Sequence, residues 1–230
     1  MHKEQTPGMQ EAVADLRRAV SSHAPRALAP LGSQGTLPLC VPACEKGLGA
    51  IIHSPQSAEL IQGVEVQEQA MWPDDRGYFL EIQRCGHGLV SAFPAASTQI
   101  SAVLNYPDTI KAFHYHQEHT DCWTPTTGLL QVALVDLRAA SPTFGRRNTL
   151  FVGAVRPWHI LIPPGVAHGY KVIGEECAML VYLTDRFYDP KDEGRIAYND
   201  PGINYDWEKQ RQGGWDFPAL AEKPNGQAAI

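Results

Sequence analysis

The chain has 230 residues, of which 43% are hydrophobic and 19% charged, with a formal net charge of −6. That is enough chain to bury a sizeable core, and the ordinary composition excludes a disordered or fibrous protein. The acidic balance, with no cluster of Lys and Arg, argues against a nucleic-acid partner, which calls for basic patches.

Taken from the N-terminus, residues 1–10 lack the apolar core of a signal peptide. No run approaches the ~20 apolar residues of a membrane span, so the expectation is a cytoplasmic protein without membrane contact. Residues 7–23 read as a short amphipathic helix, with Val13, Leu16 and Val20 on one stripe and Arg17 and Arg18 near its end. Residues 24–56 are rich in Pro, Gly, Ser and Ala without periodicity, which reads as an extended arm or linker. Residues 1–56 are therefore expected to form an N-terminal extension. Five scattered cysteines (Cys40, Cys44, Cys85, Cys122, Cys177) are expected to be free thiols in a reducing compartment. Cys40-x3-Cys44 has no second pair to complete a zinc site and reads as loop.

Near residue 57 the texture changes to short runs of Val, Ile, Leu and Tyr between Pro, Gly, Asp and Asn turns. This predicts an all-β domain over 57–207. Strands are expected at 63–69, 78–84, 98–104, 112–117, 129–137, 158–162, 170–173 and 177–184, with weak helical patterning at 87–93. In the last of these strands Ala178, Leu180, Tyr182 and Thr184 share one face. Tyr182 thus faces a pocket or packs in the wall, and periodicity alone favours the wall. Residues 208–230 read as a C-terminal tail.

Residues 111–128 (KAFHYHQEHTDCWTPTTG) place three of the nine histidines within six positions. On a strand, His114 and His116 point to one face with Cα atoms roughly 7 Å apart. The spacing His114-x-His116-x4-Asp121-x6-Gly128 resembles the first metal motif of the cupin superfamily. Pro163-Pro164-Gly165-x2-His168 resembles the second. Two histidines, a carboxylate and a distant histidine suit Mn, Fe, Ni or Zn with positions left open. The plainer reading is a polar pocket lining without metal. Either way, an all-β barrel or jelly roll holding a small ligand in its mouth is expected.

Further stretches carry a closer resemblance. DDRGYFLE at 74–81, KAFHYH at 111–116, and VDLR at 135–138 with SPTFG at 141–145 resemble consecutive motifs of the dTDP-4-dehydrorhamnose 3,5-epimerase family. So do IPPGVAHG at 162–169, residues 182–194 and NDP at 199–201. They follow the family's order and nearly its spacing across about 57–207. The resemblance implies a cupin jelly-roll barrel, a homodimer, and metal-free epimerisation of a nucleotide-linked 4-keto sugar with no cofactor. It places the catalytic base on His114 and the acid on Tyr182. Substrate-binding positions fall on Arg76, Glu81, Gln99, His168, Tyr188 and Glu193, and on Lys111 where the family has arginine. A histidine with a pKa near working pH suits a base, and tyrosine, protonated until an enolate demands the proton, suits an acid.

Three departures stand out. His116 replaces a glutamine, Asp121 replaces a lysine that would steady the enolate, and the carboxylate partner of the catalytic histidine has no clear counterpart. Besides the epimerase, two other readings fit: a metal-dependent cupin enzyme using His114, His116, Asp121 and His168, and a non-catalytic sugar-binding cupin.

Overall fold

The computed structural model describes residues 24–31 and 37–208. The helix expected at 7–23 and most of the C-terminal tail lie outside the described residues. The described chain runs through β1 (Arg26–Ala27), β2 (Cys40–Val41), β3 (Ala50–Ile51), β4 (Glu65–Glu68), β5 (Met71–Asp74), β6 (Gly77–Leu80) and β7 (Gln99–Asn105). It continues through β8 (Ile110–His116), β9 (Asp121–Thr127), β10 (Leu129–Asp136), β11 (Arg147–Gly153), β12 (Trp158–Ile162), β13 (Val166–Val172), β14 (Ala178–Thr184) and β15 (Glu193–Arg195). Helical structure among the described residues is limited to short 3-10 turns at Gly88–Val90 and Pro190–Asp192.

Two sheets form the body. One has the order β15-β8-β13-β10-β11-β3 and the other β4-β12-β9-β14-β7. Strand alternation sends one set of side chains from each sheet inward. Leu130, Val132 and Leu150 from the first sheet therefore meet Trp123, Ile160 and Leu180 from the second in one buried cluster. The opposite face of β8 carries Phe113 and Tyr115, which are buried against Leu39, Val41, Ile203, Tyr205 and Trp207. The all-β jelly-roll expectation holds.

The reading of residues 24–56 as a linker does not hold for its later part. β3 pairs in parallel with β11, and β2 pairs with β1. Leu39, Val41, Leu48 and Ile52 are all buried, Ile52 completely. Burying a side chain of this kind contributes about 1.5–3 kcal/mol relative to leaving it exposed. These residues are irregularly spaced among prolines and glycines, so no periodicity announces them.

Beyond β1–β3, the sequence reading also missed β5, β9, β11 and β15. β9 (DCWTPTT) is poor in Val, Ile and Leu and contains Pro125, which argues against a central strand. It nonetheless runs between β12 and β14, and the register with β14 shifts near Leu180↔Pro125. Such an irregularity accommodates a residue with no N–H to donate. β11 begins Arg-Asn-Thr and ends in glycine, which disguised its buried Leu150 and Val152. All five cysteines are unpaired, as expected.

His159 lies buried on β12, its Nδ1 2.7 Å from Thr124 Oγ1. Burial pulls its pKa down to about 4. A folded-state pKa below the unfolded one means that the unfolded chain takes up the proton first as pH falls. Stability should therefore drop between about pH 6.5 and 4. Urea unfolding across that range should show this slope, and His159→Gln should make it shallower.

Candidate active site

A cavity of about 790 Å³ opens between the sheets and is lined by His114, His116, Asp121, Trp123 and Tyr182 among others. Strand register sets what faces what. On the six-stranded sheet, Arg195, His114 and His168 lie side by side across β15, β8 and β13. On the five-stranded sheet, Asp121 pairs with Thr184, which pairs with Gln99, and the adjacent row runs Trp123, Tyr182, Ser101. The Trp123 ring spans the gap, with its centroid 6.1 Å from that of His114 and 5.0 Å from that of His168. His114 and Tyr182 therefore belong to opposite walls of one cavity. Tyr182 faces the ligand space, contrary to the wall packing that periodicity favoured.

A β-bulge aims His114. Between the pairs His168↔His114 and Tyr170↔Lys111 the register shifts, with one more residue on β8 than on β13. Bulges bend a strand and re-aim its side chains, and they recur beside active sites. Gly169 makes the close approach feasible: a Cβ there would overlap the Ala112 side chain and sit 2.6 Å from Ala112 Cα.

Burial, then the neighbouring His168, hold the His114 imidazole well below the ordinary histidine pKa, so its ring is neutral. The Asp121 charge acts on His114 in the opposite sense and favours the imidazolium. Burial likewise draws His116 down to about 3. Asp121 is pushed up by burial, but His168, His116 and His119 more than offset this and hold it below the usual carboxylate range. Burial drives the neighbouring Cys122 thiol up to about 12, leaving it unreactive.

Gln99, Lys111, Tyr188 and Glu193 also line the cavity. Gln99 Oε1 accepts from the Tyr188 backbone N–H at 3.0 Å, which fixes the loop after β14 to the cavity wall. His168 lies one layer back and is almost fully buried. Arg76 and Glu81 are not brought to the cavity within one chain. Arg76 projects from the β5–β6 hairpin into solvent and pairs with Asp74 at 2.5 Å, while Glu81 pairs with Arg84 at 2.8 Å. The hairpin stands outside both large sheets, and nothing in its local sequence fixes where it points. Arg195, Trp123, Tyr198 and His119 line the cavity and were missed. Arg195 stands two residues from Glu193 and binds it at 2.7 Å, so strand alternation was the available signal.

A second histidine–carboxylate group brings His116, His119 and Asp192 together, with their ligand atoms within 4.8 Å of one another. Asp192 carboxylate oxygens accept the backbone N–H groups of Gln117, Glu118 and His119, holding the β8–β9 turn.

Comparison with known proteins follows the same lines. The family model described as dTDP-4-dehydrorhamnose 3,5-epimerase matches residues 58–226. The chain belongs to that family. It is 42% identical over 150 residues to the spore coat polysaccharide biosynthesis protein SpsL of Bacillus subtilis, covering 64% of this chain and 97% of that protein. It is 32% identical over 172 residues to the dTDP-4-dehydrorhamnose 3,5-epimerase of Pseudomonas aeruginosa, covering 71% of this chain and 88% of that one. Among solved structures, the Legionella pneumophila dTDP-6-deoxy-D-glucose-3,5-epimerase, in complex with dTDP-4-keto-L-rhamnose, superposes with a TM-score of 0.57 at 25% identity. That match covers 68% of this chain and 82% of the other.

For a member of the 3,5-epimerase family, the departures now have positions. His116 and Asp121 belong to a buried cluster that also lines the cavity. Asp121, from β9, is the carboxylate whose charge supports a positive His114. Gly169→Ala tests how tightly this arrangement depends on strand approach. The added methyl should cost about 1–3 kcal/mol, as overpacking does, and should shift the imidazole signals of His114 and His168 in NMR spectra.

Proposed function

We propose that the protein epimerises a dTDP-linked 4-keto-6-deoxy sugar by proton transfer at the carbons flanking the ketone. The observation that carries this reading is the placement of His114 and Tyr182 on opposite walls of one cavity. A ketone at C4 acidifies the protons on C3 and C5. Neutral His114 accepts one of them, and the Asp121 charge favours the imidazolium as it forms. Tyr182 returns a proton to the enolate from the other side, which inverts the centre. A volume of about 790 Å³ lies within the range of small-molecule sites. Lys111 and Arg195 offer cations at the cavity for a diphosphate, with Gln99, Tyr188 and Glu193 as polar contacts.

Incubation of dTDP-4-keto-6-deoxyglucose in D2O should place deuterium at C3, at C5 or at both, as read by NMR. His114→Ala and Tyr182→Phe should each lower the rate by roughly 10²-fold or more. Full rates in both variants would rule out this assignment. Binding without exchange in the unaltered protein would favour the sugar-binding module instead.

We further propose that the working form is a homodimer. β7 is an edge strand, and Ile100 and Leu104 on its outer face are exposed, as are Trp72 and Phe79 on the hairpin. Apolar edge strands of this kind invite pairing with another chain. A second copy seated on this face would also bring its hairpin, with Arg76 and Glu81, toward a cavity that lacks them. Light scattering should give the dimer mass, and Ile100→Asp with Leu104→Asp should shift it to monomer.

A further inference from the structure

One buried polar pair on the cavity has no part in the proposed proton transfers. Tyr170 lies on β13 two residues after His168, so strand alternation turns both side chains to the same face. Its ring lines the cavity and meets Trp123 edge-on at a centroid distance of 5.6 Å. Its hydroxyl donates to Asn105 Oδ1 at 3.0 Å. Asn105 ends β7 and pairs with Ala178 of β14, so this bond crosses from one large sheet to the other. The amide is fixed on its far side, where Nδ2 faces the Ala178 carbonyl at 3.3 Å and the Val103 carbonyl at 3.4 Å. Carbonyl oxygens only accept, so the amide nitrogen belongs there and Oδ1 belongs toward the phenol. The Tyr170 hydroxyl is therefore the donor. Burial pushes the phenol up to about 12, so the donor proton stays in place through the neutral range.

The cavity lining beside this pair is otherwise apolar, with Val103, Ile110 and Leu180. Tyr170 and Asn105 are themselves 3% and 2% exposed. A buried hydrogen bond adds little net stability over an apolar pair of the same shape, but it fixes a distance and a direction. We propose that Tyr170 is a positioning residue, whose hydrogen bond to Asn105 sets the spacing between the wall that carries His114 and the wall that carries Tyr182. The connection is short on both sides. His168, two residues from Tyr170, is the direct register partner of His114. Asn105 grips the Ala178 carbonyl on the strand of Tyr182. Trp123, the register partner of Tyr182, packs against the Tyr170 ring. The proposed reaction needs base and acid on opposite faces of one sugar ring, and a misplacement of about 1 Å can cost roughly 10²-fold in rate. A tie between the walls matters at β7 in particular, because this edge strand is held by β14 on one side only.

The catalytic part of this role rests on the epimerase reading, and the experiment separates the two. Deuterium exchange from solvent into dTDP-4-keto-6-deoxyglucose by the unaltered protein tests that reading alone. Tyr170→Phe keeps the ring and removes one oxygen. It should lower kcat by roughly 10-fold or more with KM within about 2-fold, the signature of lost alignment in the transition state. The same variant, without substrate, should show shifted NMR signals for both the His114 imidazole and the Tyr182 ring. This measurement stands even if the epimerase reading fails, and unmoved signals would refute the spacing role. Tyr170→Phe also strips Asn105 Oδ1 of its donor and should lower the urea midpoint. Adding Asn105→Leu should raise the midpoint again while kcat stays low. An unchanged kcat in folded Tyr170→Phe would overturn the proposal and leave the pair purely structural. A raised KM at full kcat would make the phenol a substrate contact instead, and recovery of kcat together with stability in the double variant would also count against positioning. Should the variants not fold, the unaltered protein decides. Its Tyr170 hydroxyl proton should be protected from solvent exchange and show a nuclear Overhauser contact to the Asn105 amide, and absence of both would overturn the proposal.

Discussion

The site depends on how closely β8 lies against β13. Their pairing sets His114 beside His168, and Gly169 permits the approach because it offers no Cβ to collide with Ala112. The bulge on β8 then turns His114 toward the cavity while Phe113 and Tyr115 anchor the strand in the outer core against Tyr205 and Trp207. Without that anchor the strand would lack a fixed rotation, and the histidine row would have no defined direction. Stability and function meet here, since the apolar packing outside the sheet positions the polar groups inside it.

The second constraint is electrostatic. Asp121 is buried beside three histidines, an arrangement that is costly unless positive charge compensates it. Its charge reaches His114, which takes up a proton during the proposed reaction, and its Oδ2 lies 3.0 Å from His168 Nε2 and 3.6 Å from His116 Nε2. The substitution that looked adverse on the page, an acid in place of a lysine, is embedded in a set of groups that answer its charge.

The all-β class and all eight expected strands, each overlapping an observed one, were legible because alternation and turn residues carry a local signal. β9 was not, because Thr, Pro and Asp hide a strand whose position is fixed by its two neighbours rather than by its own propensity. The stretch near 39–52 was misread as linker for a similar reason: its buried residues are irregularly spaced and are held by distant partners.

For the site, the sequence by itself determined which chemistries are present: the His-x-His pair, the later Ala-His-Gly element, and the tyrosine on the last long strand. It also located the places where this chain departs from its family. Only the tertiary structure decided their company. Register placed Tyr182 on the wall opposite His114, closed Asp121 against His116 and His168, brought in Arg195, and left Arg76 and Glu81 outside. The physical reason is that spacing along a strand fixes the face a side chain takes, whereas which faces meet is set by long-range pairing and burial between sheets.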